Sequence, residues 1–199
     1  MSSVFNKIAD GFTLGVTPPI TSGIEDYIYV YNVDDFIETY DPTNPLIMTG
    51  LTPTVEGNKI YKFSGTNNSF GTSSKLVRTA VGPRYEEEVD WNIAGNSVAV
   101  KQMQMAAGYG RVRAIAVNNS KSDDSTIELF GAECGLISKE ASKASSDETV
   151  EGGWNMKLAQ PDKLREPYPP RSVQIAPVSG PATWVTTKAA LDALVFTNV

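Results

Sequence analysis

The chain of 199 residues contains no histidine and a single cysteine, Cys134. Without histidine it lacks the usual proton shuttle, the usual base for a Ser or Cys nucleophile and the commonest transition-metal ligand. One cysteine excludes an intrachain disulfide framework and any Cys-based zinc site. No apolar run approaches a membrane span, and the opening "MSSVFNKIADGFTLGVTPPITSG" has no apolar stretch of signal-peptide length. The expectation is a protein made in a cytoplasm and not bound to a membrane. Basic residues are also scarce: 17 Lys and Arg against 23 Asp and Glu give a net charge of −6, and they are dispersed. Phosphate backbones are held by basic patches, so specific nucleic-acid binding is not expected. These absences place an enzyme last among the function classes, with no cofactor expected.

What is present is strand-like and rich in turns. Residues 1–25 alternate small apolar and turn residues around Pro18 and Pro19 and read as an extended N-terminal arm. In "DYIYVYN" (26–32), Tyr27, Tyr29 and Tyr31 share one face and Ile28 and Val30 the other. A strand apolar or amphipathic on both sides suits a place between a core and a neighbour. "LIMTG" and "KIYKFSG" continue as strands. Residues 64–84 then read as a long polar loop of Gly, Ser, Thr and Asn. Compact domains rarely keep such loops, because ordering one costs backbone entropy that little burial offsets.

In "EEEVDWNI", Val89, Trp91 and Ile93 alternate with Glu88, Asp90 and Asn92, a strand with one apolar and one polar face. "GNSVAVKQMQMAAGYG" changes period: a helix over about 96–107 is expected, with Asn96 or Ser97 as cap, Ala99, Met103, Ala106 and Ala107 on one face, and Gly108 as stop. Strands return at "RVRAIAVNN", "STIELFG", "GLISKE" and "WNMKLAQ". Residues 161–199 read as a Pro-rich C-terminal arm with a β-like "SVQIAPV" and a short helical pattern at "TKAALDALVF". The pattern is mainly β: a β-sandwich or barrel over 26–160 with one flanking α-helix, a long inter-strand loop and two extended arms.

Candidate chemistry is sparse. Glu86, Glu88 and Asp90 share a strand face and could in principle hold Ca²⁺, but an exposed polar face accounts for the same spacing. Asp123 and Asp124 lack EF-hand spacing and read as a hairpin turn. In "GYGRVR" the glycines follow a helix, the reverse of the order that aims a helix N-terminus at phosphate. Cys134 reads as a small buried residue without a reactive partner.

The succession "SGTNNSFGTSSKLVRTAVGPRYEEEVDWNI", "RVRAIAVNN", "STIELFGAECGLISKE" and "GGWNMKLAQPDKLREPYPP" resembles structural proteins of tailed bacteriophages, in particular the tail tube (major tail) proteins of phages of Bacteroidetes-type hosts. The resemblance covers about residues 59–170 and rests on turn and packing motifs; the tail beyond Arg171 departs from it. It implies a non-enzymatic virion protein, made in the host cytoplasm, whose copies close hexameric rings by inter-subunit sheet pairing and stack into the conduit for DNA ejection. DNA would pass in transit only; the remaining partners would be tape-measure, terminator and baseplate proteins and any sheath. Such a protomer would use the long loop against its neighbours, with Asn67, Asn68, Phe70, Ser74, Lys75, Leu76, Arg78 and Arg84 as contact candidates. Glu86, Glu88 and Asp90 would face the lumen, where negative charge repels phosphate, and Tyr27, Tyr29 and Tyr31 would make subunit contacts. The competing readings are a capsid decoration protein, a terminator or baseplate ring, and a carbohydrate-binding module stacking sugars on those tyrosines or Trp184.

Overall fold

The computed structural model describes residues 23–65, 70–80, 82–93, 98–121, 126–143 and 154–196. In chain order its elements are β1 (Ile24–Asn32), β2 (Phe36–Tyr40), β3 (Ile47–Pro53), β4 (Tyr61–Ser64), β5 (Phe70–Thr79), β6 (Gly82–Ile93), α1 (Val98–Tyr109), β7 (Val112–Asn118), β8 (Ile127–Phe130), β9 (Ile137–Lys143), β10 (Trp154–Ala159), β11 (Arg171–Val173) and α2 (Trp184–Leu194). They form a seven-stranded sheet in the order β2-β3-β11-β8-β7-β1-β4 and a four-stranded sheet in the order β5-β6-β10-β9. The fold is the expected mainly β sandwich with a flanking helix.

The large sheet is covered on both faces. Toward the small sheet, Ile28 and Val30 of β1 and Ala114 and Ala116 of β7 pack with Val89, Trp91, Met156 and Leu158. On the reverse face, Tyr29 and Tyr31 join Ile115, Val117, Leu129 and Leu191 of α2 in a second core. Two-sided burial explains why "RVRAIAV" is nearly continuously apolar whereas "EEEVDWNI" alternates.

The C-terminal segment is therefore no arm. β11 lies between β8, antiparallel to it, and β3, parallel to it. Of the β-like "SVQIAPV" only Ser172 and Val173 belong to this strand, whose place is set by partners far away in the chain. Helix α2 starts three residues before the expected Thr187 because Thr183 caps it. The Thr183 hydroxyl accepts the Thr186 amide, and the Thr186 hydroxyl accepts the Thr183 amide in return. It ends before Phe196 because Val195 leaves to bridge Ile60.

The loop expected over 64–84 is also corrected. Ten residues of it, Phe70–Thr79, form β5, paired along their whole length with β6 through a tight turn in which Gly82 adopts a φ of 118°. Pairing satisfies the backbone without burying side chains, so polar composition did not mark a loop here. Residues 1–22, which hold most of the expected N-terminal arm, lie outside the described residues, as do Asn96 and Ser97. Helix α1 was expected near its observed place, and of its expected inward face Ala107 is buried while Ala106 is exposed.

Because Leu191 is fully buried beneath the large sheet, Leu191→Ala should destabilise the protein by about 2–5 kcal/mol. The expected readout is a lower urea midpoint with an unchanged m value.

Candidate functional site

The β5–β6 hairpin leaves the sandwich as it approaches its turn. Phe70 at its base is in the core, so this residue is not available for subunit contact. Further out, Ser73, Ser74, Lys75 and Leu76 are exposed in succession, which means that both faces of the strand are uncovered. Leu76 is 52% exposed. Arg78 is exposed, and Arg84 donates to the carbonyl of its neighbour Pro83. Asn67 and Asn68 lie outside the described residues. β5 is also an edge strand of its sheet, as is β9 at the opposite side, and unpaired edges offer backbone groups to another strand.

The expected outward acids are where the alternation placed them, but they do not make a uniform acidic wall. Arg165 pairs with Glu86 at 2.6 Å and Lys157 with Glu88 at 3.4 Å. Lys157 also sits opposite Asp90 in the β6–β10 register. Lys139 and Asp162 form a further pair beside them. Glu86, Glu88, Lys139, Lys157, Asp162 and Arg165 border a shallow groove of about 260 Å³ on the outer face of the small sheet. Among the described residues no group of three acids or cysteines is placed to hold a metal ion, so the Ca²⁺ reading of this face has no support in the geometry.

The tyrosines of β1 are corrected more sharply. Tyr29 and Tyr31 are fully buried in the chain's own second core, Tyr29 against α2 and Tyr31 against Phe36. Tyr29 donates to Asp192 at 2.8 Å and Tyr31 to Glu38 at 2.9 Å. Burial and these carboxylate partners push both phenols far up. Tyr27 stacks edge-on against Tyr29, with the Lys62 ammonium 4.3 Å from its ring centre. Burial of Asp192 is outweighed by hydrogen bonds from Lys188, Tyr29 and Lys62, which hold its carboxyl below the ordinary range. Neither Tyr29 nor Tyr31 can contact another subunit or stack on a sugar from this position. Trp184 is half-buried at the start of α2, with Lys121 5.1 Å from its ring centre.

The root of the hairpin holds a buried polar cluster that composition did not reveal. Glu87, Glu166 and Arg171 are 1%, 1% and 2% exposed. Glu87 accepts the Gly131 amide at 2.8 Å, and Glu166 accepts the amides of Glu133 and Cys134 at 3.0 and 2.8 Å. Arg113 completes the grip on this turn: its Nε donates to the Ala132 carbonyl at 3.0 Å while its guanidinium pairs with Glu38 at 2.5 Å. Arg171 pairs with Glu133 at 2.5 Å and lies 4.2 Å from the Tyr40 ring centre. Gly131 is required in this turn: φ is +74°, and a Cβ there would approach Leu136 to 2.7 Å. Backbone hydrogen bonds between Tyr85 and Glu166, 2.9 and 3.0 Å, tie the hairpin root to the segment before β11. Burial, with the Glu166 charge beside it, pushes the Cys134 thiol up to about 11, so it stays protonated and a poor nucleophile.

Glu87 was overlooked because "EEE" reads as solvent-facing, yet the same two-residue period that turns Val89 and Trp91 inward assigns Glu87 to their face. The Glu166 and Arg171 contacts join segments with no local pattern to announce them.

Comparison of the chain with protein-family models, with curated proteins and with solved structures returns no match. Among the described residues no helix is long and apolar enough to cross a membrane.

Removing Arg113 would leave Glu38 buried without its cation and the Ala132 and Val33 carbonyls without donors. Arg113→Met should therefore cost about 3–5 kcal/mol in chemical denaturation.

Proposed function

We propose that this chain is a structural subunit of a bacteriophage tail, a tail tube protein whose copies assemble into stacked rings around a conduit for DNA. The observation that carries the reading is the β5–β6 hairpin, a paired strand ladder with four successive exposed residues in β5 and, among the described residues, an open outer edge. A monomer gains nothing from extending a two-stranded ribbon into solvent, because an isolated ribbon is marginal in water. A neighbouring copy would bury it.

The sheet order supports ring closure. All pairings in the small sheet are antiparallel, so its two edge strands, β5 and β9, run in opposite directions. Head-to-tail pairing of β9 with the β5 of the next copy would continue the antiparallel ladder from subunit to subunit, and a heterologous contact of that kind closes into a ring when the rotation permits. The outer face carrying Glu86, Glu88 and Asp90 would line the conduit. Its acids are interleaved with Lys157 and Arg165, so this lining would avoid tight phosphate binding by mixed charge rather than by a continuous negative surface.

Negative-stain electron microscopy of the purified protein over a range of concentrations should show rings with a central hole or tubes of constant diameter. Leu76→Glu, at an exposed position, should change folding stability by no more than about 0.5 kcal/mol and abolish those assemblies. A monodisperse monomer or trimer without a hole at every concentration overturns the reading in favour of a decoration protein.

A further inference from the structure

Two buried carboxyl groups grip one short turn. Glu87 reaches it from β6 through the Gly131 amide, and Glu166 reaches it from the segment before β11 through the amides of Glu133 and Cys134. The cations nearby are already engaged: Arg171 pairs with Glu133, and Arg113 pairs with Glu38. Among the described residues no basic side chain lies within ion-pair distance of Glu87. We propose that Glu87 is the proton-operated part of a latch that fixes the root of the β5–β6 hairpin to the Gly131–Cys134 turn, closed when its carboxyl is protonated and loosened when it is ionised.

Burial raises the carboxyls of both Glu87 and Glu166, and geometry selects Glu87 as the proton holder. A carboxylate is stabilised by each amide it accepts, and Glu166 accepts from two residues where Glu87 accepts from one. The groups facing Glu87 from the surrounding elements are mostly acidic: Glu128 on β8, the neutral Cys134 in the turn, and Glu166 before β11. Arg171 on β11 is the one opposing charge, and the uncharged Gln160 binds the Glu87 backbone amide at 2.8 Å. Burial, reinforced by Glu166, raises the Glu87 carboxyl from its ordinary 4.5 to about 8.

The sign follows from linkage. The folded protein holds this proton more tightly than the unfolded chain does. The stabilisation is therefore fully present below about 4.5 and declines as pH rises to about 8. Ionisation then leaves an uncompensated charge against a turn whose amide donors can satisfy it only in part. The local response is opening of the turn and release of the hairpin root. The latch belongs to the folded chain and does not depend on what the hairpin docks against.

The test is a carbon-13 titration of the glutamate carboxyls in the intact protein, with amide hydrogen exchange followed over the same pH range. One carboxyl signal, absent from Glu87→Gln, should titrate above neutrality. Protection of the Gly131, Glu133 and Cys134 amides, corrected for intrinsic exchange, should fall roughly tenfold or more between about pH 6 and 9 in the wild type. It should stay flat in Glu87→Gln. The proposal is overturned if the Glu87 carboxyl titrates near 4.5, if wild-type protection is flat, or if Glu87→Gln keeps the wild-type pH dependence. Should that variant fail to fold, the wild-type spectra alone decide, since Glu87 can be assigned through its neighbouring backbone.

Discussion

The large sheet has to be covered on both faces, and most of this architecture answers that constraint. β7 is buried from Val112 to Val117, with alternate side chains entering opposite cores. One face is met by the small sheet. The other is covered in part by α2, which brings Leu191 into one core with Tyr29 and Tyr31. The bond from Tyr29 to Asp192, across 163 positions of sequence, adds a polar fix to an otherwise non-directional contact. Losing the last helix would expose the inner strands of the large sheet to water.

Period-two alternation made the strands of the domain legible, along with the two faces of β6 and the outward placing of Glu86, Glu88 and Asp90. The change of period made both helices legible to within a few residues. Three features escaped. β5 looked like a loop because Gly, Ser, Thr and Lys dominate it, and a ribbon that needs no buried face leaves no alternation to detect. β11 is three residues long, and its place depends on β3 and β8. The tyrosines were rightly paired on one face, but the identity of their neighbour depends on a helix more than 150 residues away, which no local window contains.

The polar interior is organised around a single turn. Gly131–Cys134 receives Glu87 from the small sheet, Arg113 from the centre of the large sheet and Glu166 from the segment leading to β11. Three separate parts of the chain thus share one set of backbone groups. Hydrogen bonds of this kind are directional where apolar packing is not, so they fix how the two sheets are set against each other. The buried ions add specificity at a cost in desolvation, which is met by amides at Glu166 and by carboxylates at Arg113 and Arg171.

The parallel seam between β3 and β11 also bears on how the chain reaches this state. Strands Ile47–Pro53 and Ile127–Phe130 occupy the same sheet but are not paired with each other; Arg171–Val173 stands between them. The β2–β3 pair can form early as a local ribbon, but it cannot join the body of the sheet until the chain has been made through Val173. During synthesis at a ribosome, the β2–β3 ribbon must therefore wait for a segment more than 100 residues downstream before β3 gains its second partner.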